Sequence, residues 1–171
     1  GHHTDAILDL DFSPDGIKLA SVALDNKLIQ WDVKPDGQSP TEVQVASVSS
    51  VTYSSDGKKI ITGDNHYNVN IHTTNDLAIE KTFVSSFKVI DLATLGNSSQ
   101  LVIGNGNRKL WFWDMAITDG KAEPLGDMQY PLSQLATSAA GDLIAGGDVN
   151  GGIIVWDKNG AMKWKKQGDV L

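Results

Sequence analysis

The chain has no cysteine among its 171 residues. That excludes disulfides, thiolate nucleophiles and thiolate metal sites. Positive charge is also scarce: 14 Lys and Arg stand against 21 Asp and Glu, a formal net charge of −7. Binding along a phosphate backbone needs clustered Lys and Arg, so nucleic acid is not an expected partner. No apolar run approaches the ~18 residues that cross a bilayer, and a membrane is not an expected partner either. Residues 1–20 lack the basic start of a secretory leader and carry Asp5, Asp9, Asp11 and Asp15; the expected location is cytoplasmic. No window sustains a helical apolar period over about ten residues, so long helices are not expected.

What the chain does have is repetition. Trp31, His72, Trp113 and Trp156 follow one another at steps of 41, 41 and 43 residues. Leu19, Ile60, Leu101 and Ile144 keep the same steps, as do Phe12, Tyr53, Thr94 and Thr137. Between these landmarks lie short runs rich in Ile, Val, Leu, Thr and aromatics, a composition suited to strands. Turns separate them at Asp15-Gly16, Asp56-Gly57, Asn97-Ser98 and Ala140-Gly141, the first two being strong hairpin signals. In the first copy the strands are expected at 6–13, 18–24, 27–33 and 42–46, with exposed loops at 34–41 and, in the third copy, at 116–124.

The first copy carries Gly1-His2, Phe12-Ser13-Pro14-Asp15-Gly16, Leu19-Ala20-Ser21, Asp25 and Trp31-Asp32. It resembles a WD40 repeat, a family marked by a period of about 40–45 residues ending near Trp-Asp. The resemblance runs through the whole chain, weakest in the second copy. It implies an all-β fold, a β-propeller of four-stranded antiparallel blades. Four blades are expected, near 1–46, 47–86, 87–128 and 129–171. They form a single propeller segment expected to belong to a larger ring, completed by further blades or a second copy, unless the four close alone.

The resemblance also implies a hydrogen-bonded tetrad in blade one: His2, Ser21, Asp25 and Trp31. The Gly1-His2 pair points to His2, whereas counting back from Phe12 favours His3. In the other blades the Ser, Asp and Trp positions hold Thr62, His66 and His72; Ile103, Asn107 and Trp113; and Gly146, Asn150 and Trp156.

The same comparison leads to a non-enzymatic protein-interaction or scaffold module binding a protein or peptide on the propeller face. An assembly segment that completes a ring is the alternative, and a propeller enzyme a distant one. Residues just before the second-to-third strand turn, Leu24, Asn65, Gly106 and Val149, often contribute to that face. Leu24, Tyr67 and Arg108 are the candidate partner-binding residues, because exposed aromatic and Arg side chains anchor interfaces. His2, His3, His66 and His72 offer no converging set of ligands, so no metal or cofactor is expected. Ser21, His2 and Asp25 have the residue types of a catalytic triad, but the resemblance assigns them a structural role, and no catalytic residue is expected. Asp9, Ser50, Asp91 and Gln134 share one register of the inner strands and would make either an acidic channel lining or contacts between blades. The last strand, Met162-Lys163-Trp164-Lys165-Lys166, reads as a protected sheet edge or as a contact strip for an acidic partner.

Overall fold

Strands form here because the short apolar runs alternate with polar residues and are cut by turns before a helix can propagate. The computed structural model describes residues 1–34, 39–117 and 121–167. Blade one contains β1 (Ile7–Phe12), β2 (Lys18–Ala23), β3 (Lys27–Asp32) and β4 (Thr41–Gln44). Blade two contains β5 (Val48–Tyr53), β6 (Lys59–Asp64), β7 (Asn68–Thr73) and β8 (Ile79–Val84). Blade three has β9 (Val89–Thr94), β10 (Gln100–Asn105), β11 (Lys109–Asp114) and β12 (Glu123–Asp127), and blade four β13 (Leu132–Thr137), β14 (Leu143–Asp148), β15 (Ile153–Asp157) and β16 (Met162–Lys166). Each blade is a four-stranded sheet with its strands in sequence order. The outer strand of blade one begins at Thr41, inside the segment expected to be loop. The remainder of that loop, and of the one at 116–124, lies partly outside the described residues.

The repeat landmarks are neighbours across each sheet. Phe12 pairs with Leu19 and Leu19 with Trp31; Tyr53, Ile60 and His72 do the same, as do Thr137, Ile144 and Trp156. Their shared spacing is thus the register of the sheet. The turn before the second strand repeats too. Ser13 Oγ donates to Asp15 (2.6 Å) and accepts from Lys18 N (2.9 Å). Ser54 does likewise with Asp56 and Lys59, and Ser138 with Asp142 and Leu143.

The chain forms two compact units, 1–89 and 90–171. In the first, Ala20, Val22, Leu28 and Val45 of blade one pack against Val51, Tyr53, Ile60 and Leu77 of blade two. In the second, Val102, Leu110, Leu125 and Met128 of blade three pack against Leu132, Ile144, Ile154 and Trp156 of blade four. Burying each such large side chain contributes about 1.5–3 kcal/mol.

Candidate functional site

Blade one contains a continuous polar chain. Trp31 Nε1 donates to Ser21 Oγ (2.8 Å), which lies 2.8 Å from His3 Nε2. The opposite nitrogen, His3 Nδ1, is 3.1 Å from both carboxylate oxygens of Asp25. With Nδ1 protonated, the ring donates to Asp25 and accepts from Ser21, so every polar atom has a partner. The histidine is His3 and not His2, which is exposed. Successive side chains on an extended segment point in opposite directions, so only one of the two reaches Asp25. Asp25 also accepts from Thr4 N (2.9 Å) and Lys27 N (3.1 Å). Burial pushes its carboxyl up, but these hydrogen bonds outweigh burial and hold it below the ordinary value of 3.8. Ser21 is buried, and its oxygen is committed to both His3 and Trp31. It therefore lacks the open approach a nucleophile needs.

Blade two substitutes a shorter device. His72, fully buried, donates from Nδ1 to Leu77 O (2.9 Å) and accepts from Thr62 Oγ1 through Nε2 (2.9 Å). Burial lowers its pKa below the usual 6.5. As pH falls below that value the unfolded chain takes up a proton that folded His72 resists, so stability is lost. Melting temperature should therefore fall between about pH 7.5 and 5.5, and His72→Gln should reduce that slope. An equal slope in the variant would contradict the assignment.

The tight turn after the second strand shows a feature that reading by resemblance missed. In blade two, Asp64 Oδ1 accepts from His66 N and Asn68 N, both at 2.8 Å. In blade four, Asp148 Oδ1 accepts from Asn150 N (2.9 Å) and Gly152 N (2.8 Å). Both turns are capped from the end of the preceding strand, not from the tetrad position held by His66 or Asn150. The signal was present: Asp64, Asn105 and Asp148 keep the 41 and 43 residue steps.

The inner-strand carboxylates join blades. Each of β1, β5 and β13 has a register shift near its start, between Ile7 and Asp9, Val48 and Ser50, and Leu132 and Gln134, and such bulges re-aim the side chains that follow. Asp9 Oδ2 accepts from Ser50 Oγ and Val51 N, both at 2.8 Å. Asp11 Oδ2 accepts from Tyr53 N (2.8 Å) and Thr52 Oγ1 (3.0 Å). In the second unit Asp91 accepts from Leu135 N (2.6 Å). These carboxylates therefore act as clasps between neighbouring blades and not as an open acidic lining. Burial raises the Asp11 pKa despite its hydrogen bonds. Burial likewise pushes the Tyr53 phenol up to about 12, against the hydrogen bond that Gln30 donates to it. Among the described residues, no group of three or more His, Asp or Glu is placed to hold a metal ion.

The candidate partner residues lie on the turns after the second strands. Leu24 is 55% and Tyr67 48% exposed. They are linked along one end of the first unit: Ser47 N donates to Asn26 Oδ1 (3.1 Å), and Asn65 N donates to Ser47 O (3.0 Å). Asn26, Tyr67 and Arg108 all have left-handed backbone, at φ 60, 73 and 69°, and Gly151 takes the same place in blade four at 79°. Asparagine and glycine suit that conformation; for bulky residues it costs about 1–2 kcal/mol. Arg108, in the second unit, donates from Nη1 to Gln129 O (3.2 Å).

Residues 1–32 match the WD40 family, described as WD domain, G-beta repeat. No curated protein matches the chain significantly. Among solved structures 1577 chains match, so the likeness defines an architecture and not a partner. One of them, "Structure of U3-55K", superposes with a TM-score of 0.84 at 23% identity, covering 98% of this chain and 54% of that one. The present chain thus spans about half the length of that structure. Residues 1–32 thus match a WD40 repeat, and the likeness to the solved structure shows the fold, a β-propeller of four-stranded antiparallel blades.

Proposed function

We propose that this chain is a non-enzymatic protein-interaction module whose partner docks on the turns after the second strands, those of Leu24 and Tyr67 in the first unit. The observation that carries the reading is Tyr67: a bulky aromatic, half exposed, held in left-handed backbone at a position where glycine or asparagine costs less. Strain retained at an exposed aromatic suggests a use for the side chain. Ser21, His3 and Asp25 are engaged in hydrogen bonds within blade one, and Asp9 and Asp11 in bonds to blade two.

Tyr67→Gly tests this. Relief of the backbone strain, less the added freedom of an unfolded glycine, should stabilise the protein by about 0.5–1 kcal/mol. The melting temperature should rise by about 2 °C, while cross-linking to partners in a cell lysate falls. A variant that binds as well as the parent would remove the basis of the reading.

The second reading is an assembly segment, through a second copy or further blades. On β1, Leu10 and Phe12 alternate with the clasp residues Asp9 and Asp11 and are 52% and 53% exposed, more apolar surface than an inner strand usually leaves open. Light scattering separates the two readings. A mass of 18.4 kDa fits the module acting alone, and a stable mass of twice that value favours assembly.

A further inference from the structure

The four outer strands differ in charge. β4 carries Glu42, β8 carries Glu80 with Lys81, and β12 carries Glu123, Pro124 and Asp127. β16 carries Lys163, Lys165 and Lys166 and no carboxylate, in a chain whose net charge is −7. All five of its residues are exposed. It pairs with β15 on one side and is the terminal strand of its sheet, so among the described residues its other side has no strand partner.

The surroundings add to this charge. Lys163 is neutralised by Asp157 at 3.0 Å, but among the described residues Lys165, Lys166 and Arg108 form no ion pair. Lys165 Nζ reaches Gln129 Oε1 (3.3 Å), and Arg108 Nη1 reaches Gln129 O (3.2 Å). Two cations thus bond to different oxygens of one neutral residue, and an anion placed beside them would be attracted to both. On the opposite face of the strand Trp164 is 50% exposed beside its pair Val155, whereas Trp113 and Trp156 are buried.

Lysines on a free edge deter pairing with neutral or basic strands. By the same electrostatics they favour an acidic one. We propose that the free edge of β16 is a docking strip for an extended acidic segment of a partner protein. The segment adds as a fifth strand. Main-chain hydrogen bonds supply its affinity, and carboxylates on the face of Lys165 and Arg108 supply its specificity, while Lys166 lies on the Trp164 face. Trp164 offers an apolar cross-strand contact to alternate side chains. This extends the interaction reading to a second surface, and its test is independent of Tyr67.

The probe is a fluorescein-labelled, terminally blocked heptapeptide of alternating Glu and Val, followed by fluorescence anisotropy. It should bind the wild-type chain, and the dissociation constant should rise at least about ten-fold in the Lys165→Glu/Lys166→Glu variant. Lys166→Glu alone, which changes the face that carries Trp164, should show the smaller share of that loss. The same peptide N-methylated at every amide keeps its charge but cannot pair as a strand, and should bind at least about ten-fold more weakly. Absence of binding to the wild-type chain would overturn the proposal. So would equal binding by the double variant, or equal binding of the N-methylated peptide, which would indicate attraction by charge alone. If the peptide fails while Tyr67→Gly still reduces partner cross-linking, the strip is refuted and the turn-face reading stands.

Discussion

Alanine at Asp25 should lower unfolding free energy by about 2–4 kcal/mol, because it removes the acceptor of three hydrogen bonds and leaves His3 Nδ1 without its partner. The bonds lost come from Thr4 N, Lys27 N and His3 Nδ1. For a chain of this length the fall in melting temperature should be about 5–10 °C. Asn107 accepts one exposed bond, from Lys109 N at 3.2 Å, and Asn107→Ala should cost about 0.5–1 kcal/mol. Asn150→Ala should be within about 0.5 kcal/mol of the parent, since Asp148 caps that turn. The acid limb should change as well. A carboxyl held below 3.8 in the folded state contributes stability above that pH, and the contribution disappears as pH falls through the folded value. Asp25→Ala should therefore flatten the loss of stability in acid. Small, equal shifts for all three variants would contradict the tetrad.

The second large effect is expected at Gly141. It has φ +69°, and an added Cβ would lie 2.8 Å from the Cα and 2.9 Å from the N of Gly96 on the neighbouring blade. Gly16 has nearly the same backbone, φ +70°, with nothing within 4 Å of the added atom. Alanine at Gly16 thus carries the left-handed penalty alone, about 1–2 kcal/mol. Alanine at Gly141 carries that and an overlap with backbone, which cannot swing aside as a side chain can, for a total of about 3–5 kcal/mol. Thermal unfolding of the pair isolates the close approach of the blade three and blade four turns. Equal losses would mean that this approach contributes nothing.

The sheets were legible because their register is written in the spacing: Phe12, Leu19 and Trp31 recur together since they pair across adjacent strands. Loop edges were less so. Thr41 lies in a polar, Pro-containing segment, yet it pairs with Gln30, a tertiary choice that local composition does not reveal. The tetrad was readable to within one residue, because two adjacent histidines differ only in which way an extended chain points them. The caps at Asp64 and Asp148 were obscured by looking for the carboxylate where blade one keeps it. A turn needs an acceptor within reach of its N–H groups, and the end of the preceding strand serves as well as the turn itself. The interblade role of Asp9 and Asp11 depends on the bulge between Ile7 and Asp9. A two-residue alternation shows which side chains share a face, and a bulge changes where that face is aimed.

The measurement that bears most directly on the central claim, a binding module acting through its strained turns, is quantitative cross-linking of the wild-type chain and the Tyr67→Gly variant in the same lysate. Melting curves of both proteins establish that each is folded. The expected result is a set of proteins captured by the wild type and lost from a variant that melts no lower. Unchanged capture by the variant would contradict the claim and separate the strain at Tyr67 from binding.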